Sequence, residues 1–88
     1  MTVFVAWTSA ELDGLDPLRD LPGPWREVWL AGSGLALVDS DESLSRVYHE
    51  LKWALPDGAA LLVTPAGGLP KLKGLAPGTT TWLRRRLG

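Results

Sequence analysis

Three acidic residues, Asp39, Asp41 and Glu42, form the densest group of side chains in this 88-residue chain that could do chemistry. Carboxylate oxygens are the ligands that Mg²⁺ and Ca²⁺ prefer. The spacing is not that of an EF-hand loop, however, and an apolar helical pattern follows the acids directly. Acidic residues at the start of a helix interact favourably with its dipole. We therefore predict that residues 39–42 open a helix, and we predict no metal site.

The chain contains one histidine, His49, and no cysteine. A multi-histidine metal site, a thiolate zinc site, a disulfide framework and a cysteine nucleophile are therefore excluded. His49 could act as a general base, but in a helical projection it lies away from the apolar stripe, which is typical of a solvated residue. A pocket lined by Trp7, Thr8 and His49 would favour an enzyme. The glycine pairs lack the spacing of a phosphate-binding loop, so we predict no catalytic residue and no cofactor.

Charge is distributed unevenly along the chain. Residues 1–57 hold all ten acidic residues and only four cations, whereas residues 58–88 hold five cations and no acid. A basic segment that contains a tryptophan has the groups needed for phosphate contact and base stacking. Alternatively, the two halves neutralise each other within one fold. The candidate contacts to a nucleic acid or a protein partner are Lys71, Lys73, Trp82, Arg84, Arg85 and Arg86.

A second candidate surface lies on the helix predicted after residue 42. Arg46, His49, Glu50 and Trp53 share the face opposite the apolar stripe, and Arg46 and Glu50 are four residues apart, so they can form a weak ion pair. An exposed tryptophan beside cationic groups is typical of a partner-binding surface, although another segment of the chain could lie across it. Arg46, His49 and Trp53 are therefore the candidate partner patch.

The elements that must position these residues follow from periodicity and turn residues. Apolar residues at spacings of three and four predict one strong helix, which Pro56 ends, and a weaker pattern predicts a short or broken helix at residues 9–21. The Gly32-Ser33 pair predicts a hairpin turn with a positive φ at Gly32. The end of the chain, residues 79–87, fits either a short strand or a final helix turn. Strands are predicted at residues 2–8, 25–31, 34–38 and 59–64.

The order strand, helix, strand, strand, helix, strand is that of ferredoxin-like α+β domains. We therefore predict that residues 1–88 form a single ferredoxin-like βαββαβ domain. It would have an antiparallel sheet, two helices on one face and residues 65–88 as a basic, Gly/Pro-rich C-terminal tail. The strands are apolar on both faces, and a large bare apolar patch is unusual on a monomer. We expect the tail and a second copy of the chain to cover the second face together, which predicts a homodimer.

The run from Gly34 to Leu87 also carries a family resemblance. It contains a strand, a helix that Asp and Ser open, the segment Leu-Pro-Asp-Gly-Ala-Ala-Leu-Leu-Val-Thr-Pro at residues 55–65, and a closing Trp82-Leu83. This layout resembles the small ferredoxin-like proteins related to the dimeric CRISPR adaptation subunit, which include uncharacterised relatives outside CRISPR. The resemblance implies a homodimer packed through its sheets.

The same resemblance implies the option of a metal-dependent nuclease site that uses an Asp at the end of the first strand. The first strand here ends in Ala6-Trp7-Thr8, and no Asp stands at the matching point. The nearest acids, Glu11 and Asp13, come later in the chain. Because two-metal phosphoryl chemistry requires oxygen ligands in a fixed geometry, such a site would be degenerate.

Three functional interpretations stay open. The leading one is a non-enzymatic homodimeric interaction module. The first alternative is a nucleic-acid-binding module that uses the basic C-terminal segment, and the second is a degenerate metal-dependent nuclease-like protein. The start of the chain lacks the basic region of a signal peptide, and no stretch approaches the ~18–20 apolar residues of a membrane span. We therefore expect a cytoplasmic location and no membrane partner.

Overall fold

The computed structural model describes residues 2–10 and 23–88. Within these residues the chain is an α+β protein of four strands and two helices. The α+β class, the four strands and the helix after residue 42 agree with the sequence prediction. The predicted helix at residues 9–21 lies almost wholly outside the described residues. Neither helix of the described part has the length and apolar character that a membrane span requires. In chain order the elements are β1 (Thr2–Thr8), β2 (Glu27–Gly32), β3 (Leu35–Ser40), α1 (Leu44–Ala54), β4 (Leu61–Pro65) and α2 (Thr79–Leu87).

The four strands form one antiparallel sheet in the order β2-β3-β1-β4. Val5 in the centre of β1 lies opposite Leu37 on β3 and opposite Thr64 on β4. The register of β2 against β3 shifts between Leu30 and Gly32, which leaves one extra residue in β2 as a bulge. Because β3 and β4 are both antiparallel to β1, they run parallel to each other on either side of it, and α1 connects them.

The hairpin turn between β2 and β3 depends on a glycine, although not on the predicted one. The positive φ, 69°, falls at Gly34 and not at Gly32. A Cβ atom on Gly34 would lie 2.5 Å from the carbonyl oxygen of Thr8, and the Thr8 amide donates a hydrogen bond to the Gly34 carbonyl at 2.8 Å. The turn therefore packs directly against the end of β1, where a residue without a side chain is required.

Helix α1 begins later than the sequence predicts. Asp39 and Ser40 are the last residues of β3, where they pair with β1, so residues 39–42 do not open the helix. Ser43 caps it instead, because its side chain accepts a hydrogen bond from the Arg46 amide at 3.2 Å. Because Asp39 and Ser40 belong to β3, their backbone N–H and C=O groups take part in strand pairing and do not start a helix.

The apolar stripe of α1 covers one face of the sheet. Val47 and Leu51 are buried there and pack with Phe4 and Ala6 of β1, which alternate along the strand and therefore point to the same face. Trp25 also packs against this cluster. Trp25 precedes β2, which begins at residue 27, and Trp29 of β2 packs in the cluster on the opposite face.

The C-terminal residues 66–88, which we call the C-terminal layer, cover the opposite face. Helix α2 buries Trp82 and Leu83 against Val3 of β1 and Leu37 of β3. The two described helices therefore lie on opposite faces of the sheet, and residues 66–88 cover part of the second face, as expected of the tail. The expectation of both helices on one face counted residues 9–21, and it treated residues 79–87 as either a short strand or a final helix turn. Helix α2 packs on the sheet because its apolar residues lie on one side and are buried there.

Candidate interaction surfaces

Two of the predicted partner contacts, Trp82 and Arg86, are engaged inside the protein. Trp82 is 6% exposed. Its ring centre lies 6.2 Å from that of Trp29, and its Nε1 donates to Glu27 Oε1 at 3.0 Å. The Arg86 guanidinium lies 3.9 Å from the centre of the Trp82 ring and pairs with Glu27 at 2.9 Å. These contacts hold α2 on the sheet, so neither side chain is presented to a partner.

Asp39 is the centre of an ion-pair network that joins the two halves of the chain. Its side chain is 7% exposed and accepts hydrogen bonds from Arg86 Nε at 3.0 Å and from Arg26 Nη1 at 3.3 Å. Arg26 also pairs with Asp41. The contact between Arg86 and the acidic half confirms, for this cation, the interpretation that the two halves neutralise each other. The described residues contain no group of three or more acidic or histidine side chains that could hold a metal ion.

The remaining four basic candidates form a cationic surface on the outside of the C-terminal layer. Lys71, Lys73, Arg84 and Arg85 are all exposed. None of them forms an ion pair with a residue of the described ranges. Lys71 and Lys73 flank Leu72, which packs inward. No acidic residue follows Asp57 in the chain, so the C-terminal layer itself contributes only positive charges.

The candidate partner patch on α1 is brought together by the structure. Arg46, His49, Glu50 and Trp53 line a shallow groove. Trp53 is 72% exposed, and the centre of its ring lies 6.1 Å from that of His49. His49 Nδ1 donates to the Ser45 carbonyl oxygen at 2.7 Å, and the predicted ion pair between Arg46 and Glu50 is present at 3.6 Å. The groove is open and combines one large aromatic ring with groups of both charges.

An exposed apolar pair on the sheet was not singled out by the sequence. Trp7 on β1 lies directly opposite Leu62 on β4, and the two side chains are 46% and 63% exposed. Both point to the face that carries the C-terminal layer, but that layer packs on β2, β3 and the first part of β1. We call this pair the Trp7–Leu62 patch. The strand pattern predicts apolar residues on both faces but does not show where the covering layer ends.

The patch adjoins the outer edge of β4, and two backbone hydrogen bonds show which backbone groups of this strand point outward. The Ala66 amide donates to the Val3 carbonyl at 2.8 Å, and the Ser9 amide donates to the Ala60 carbonyl at 3.1 Å. Backbone groups of successive strand residues point to opposite sides. The backbone N–H and C=O groups of the even-numbered residues of β4 therefore point to β1. Those of the odd-numbered residues point away from it, to the outer edge.

The residues of β4 whose backbone groups point outward are Leu61, Val63 and Pro65. No other strand of the described ranges pairs with them. Because proline has no N–H group, this edge offers two backbone donors, on Leu61 and Val63. The opposite edge of the sheet is partly covered, since the Ala76 amide donates to the carbonyl of the bulged Ala31 at 2.7 Å. Of the two sheet edges, the edge of β4 is the open one within the part of the chain that the structure describes.

The pocket that would favour an enzyme does not form. Trp7 points to the face opposite α1, whereas His49 lies on the outer side of α1. Thr8 is buried, and its Oγ1 accepts a hydrogen bond from the Ala10 amide at 3.1 Å. These three side chains therefore do not line a common cavity.

Comparison of the chain with models of protein families, with curated proteins and with solved structures finds no match.

Proposed function

We propose that the protein is a non-enzymatic interaction module that acts as a homodimer. The observation that carries this proposal is the Trp7–Leu62 patch beside the open edge of β4. An exposed apolar patch marks an interaction site, and an unpaired strand edge is a template for pairing with another chain. A second copy offers the same patch and the same edge, so a two-fold axis can bring like surfaces together.

The exposed area sets the strength of this dimer. With 46% of its surface exposed, Trp7 leaves roughly 100 Å² to bury, and Leu62 leaves a similar area. Two copies together then bury roughly 400 Å², which at ~25 cal/mol per Å² stabilises the dimer by about 10 kcal/mol before association costs of about 4–15 kcal/mol. The two terms nearly cancel, so we expect reversible dimerisation in the micromolar range or weaker.

Sedimentation equilibrium between low micromolar and millimolar concentration tests the proposal. We expect the wild-type mass to rise from monomer towards dimer. Leu62→Lys places a charge on the patch and is expected to remain monomeric, because lysine on an edge strand opposes pairing. Leu69→Lys is the matched control, since Leu69 is 42% exposed but lies outside the sheet. A wild-type chain that is monomeric at every concentration would refute the homodimer.

We also propose that the domain is ferredoxin-like. Its support is the unit β3–α1–β4, in which β1 lies between two parallel strands, as in a split βαβ arrangement. The helix expected between β1 and β2 belongs to residues outside the described ranges, and α2 is an addition to the βαββαβ order. The resemblance to relatives of the CRISPR adaptation subunit stays a prediction.

A second candidate function is nucleic-acid binding by the cationic surface. The observation that favours it is the exposure of Lys71, Lys73, Arg84 and Arg85 without ion-pair partners among the described residues. Since Trp82 is buried, binding would rest on phosphate contacts and would be insensitive to sequence.

Salt dependence is the test of this second function. Four phosphate contacts predict that the logarithm of the binding constant falls with the logarithm of salt concentration with a slope of about −3.6 on duplex DNA. Replacement of all four cations of this surface by serine should abolish binding, whereas Lys52→Ser on α1 should not change it. No retardation of DNA or RNA at low salt would eliminate this function.

A further inference from the structure

We propose that two copies of the chain pair antiparallel along their β4 edges, with Leu62 opposite Leu62 of the second copy at the two-fold axis. This inference rests on the proposed homodimer and specifies its surface and its register. The result is one continuous sheet of eight strands in which the Trp7–Leu62 patches of both copies meet.

Backbone hydrogen bonding supports this register. Leu61 and Val63 carry the two outward donors of each chain. With Leu62 on the axis, Leu61 of one copy lies opposite Val63 of the other, and such a pair exchanges two N–H···O bonds. Every outward donor of both copies is then satisfied. Pro65 lies beyond the bonded pairs, where its missing N–H costs no hydrogen bond.

Side-chain contacts separate this register from the nearest alternative. A shift that places Val63 on the axis also satisfies the donors, but it sets each Leu62 opposite Thr64 of the second copy. With Leu62 on the axis, the two leucines form a non-hydrogen-bonded pair, in which side chains approach most closely. Each Trp7 lies beside its own Leu62 on the same face. The four side chains therefore form one apolar strip across the axis.

Charge and area identify a second copy as the occupant of this edge. A two-fold axis places each residue near its own counterpart, so a charge on β4 would repel itself, and residues 61–65 contain none. Edge strands that must not pair commonly carry lysine or another charge. The area available is below that of a standard stable interface, which fits a reversible dimer of identical chains.

Cysteine cross-linking tests the register, because the chain has no cysteine of its own. In a non-hydrogen-bonded pair the Cα atoms are about 4.5 Å apart, which suits a disulfide. We expect Leu62→Cys to form disulfide-linked dimers roughly tenfold faster, or more, than the exposed controls Thr64→Cys and Leu69→Cys, since pairing raises the effective thiol concentration.

Each other outcome has a definite meaning. Rapid cross-linking only in a mixture of Leu62→Cys and Thr64→Cys chains would place Val63 on the axis and overturn the proposed register. Equal rates for all three variants, with dimers in sedimentation, would overturn edge pairing and leave the homodimer intact. A monomer in sedimentation, with the same equal rates, would overturn both edge pairing and the homodimer. An extended segment of another protein would then be the expected occupant of the β4 edge.

A proline pair provides a second measurement that does not depend on a thiol. The Val63 amide faces outward, so Val63→Pro removes a donor of the dimer and no hydrogen bond between β1 and β4. We expect loss of the dimer in sedimentation with an unchanged circular dichroism spectrum. Thr64→Pro is the contrast, because the Thr64 amide faces β1 and its loss weakens the sheet itself. Wild-type dimerisation of Val63→Pro would contradict the proposal.

Discussion

Replacement of Leu83 by alanine tests whether the chain covers the second face of its own sheet. Leu83 on α2 is 1% exposed and packs in the cluster that contains Val3 and Leu37. Truncation of a buried leucine removes its transfer free energy and leaves a cavity, at a total cost of about 2–5 kcal/mol. For a domain of this size each 1 kcal/mol lowers Tm by about 4–8 °C. We therefore expect Tm to fall by about 10 °C or more.

The assays are thermal unfolding, which gives Tm, and equilibrium unfolding in urea, which gives the free energy of unfolding. Both are followed by the fluorescence of the five tryptophans. Leu69→Ala is the matched control, because the same atoms are removed from a side chain that is 42% exposed. We expect it to change the free energy of unfolding by about 0.5 kcal/mol or less. The two variants are compared at one low protein concentration, where association contributes least.

Two results would refute the reasoning on Leu83. Equal unfolding midpoints for Leu83→Ala and Leu69→Ala would show that α2 does not cover the sheet. A destabilisation by Leu83→Ala that appears only at high protein concentration would show that α2 packs on a second copy, because mass action then contributes to the stability. The structure predicts a large effect that is independent of concentration.

Three further substitutions test local features in the same unfolding assay. Asp39→Ala should cost about 1–3 kcal/mol, since it removes a buried acceptor of two arginines, and a value near zero would contradict the network. Gly34→Ala should cost more than about 1–2 kcal/mol, because of its positive φ and the nearby Thr8 carbonyl. Gly58→Ala, with a positive φ in open space, should cost less, and equal costs would contradict the clash. Ser43→Ala should cost about 1 kcal/mol through loss of the helix cap, and no change would refute that role.

Local patterns in the sequence predict most of the sheet and α1. The β-branched and aromatic residues at 2–8 predict a strand, and β1 has the same bounds. Leu35 and Leu37 share one face of β3, while Ala36 and Val38 share the other, in keeping with the period of two of a strand. These features depend on neighbouring residues and on a period of two, which a single sequence shows directly.

The C-terminal layer could not be predicted in this way, because its structure depends on distant contacts. Three consecutive threonines at residues 79–81 have low helix propensity, yet they begin α2. The Trp29 Nε1 donates to Thr79 Oγ1 at 2.8 Å across 50 positions of sequence. One local signal was available. Trp82 and Arg86 are four residues apart, which places them on one side of a helix and separates Arg86 from the two exposed arginines.

Of the candidate interaction surfaces, one could be predicted from local sequence patterns and another could not. The exposed face of α1 with Arg46, His49 and Trp53 follows from helical period alone, and the structure brings these residues together. The Trp7–Leu62 patch depends on the order of strands in the sheet and on the extent of the C-terminal layer. Neither property is local, so the sequence could show that Trp7 and Leu62 are apolar but not that they are exposed.

The extent of the C-terminal layer also determines what kind of dimer the protein can form. A bare second face would make association obligatory, since folding would leave that face in water. Because α2 and the preceding segment bury Val3 and Leu37 within one chain, the monomer has a core of its own. Among the described strands, the large apolar side chains that stay exposed are Trp7 and Leu62, which form the patch at the β4 edge. Association at an edge then adds a strand pairing without any loss of internal packing, so the equilibrium between monomer and dimer can follow protein concentration.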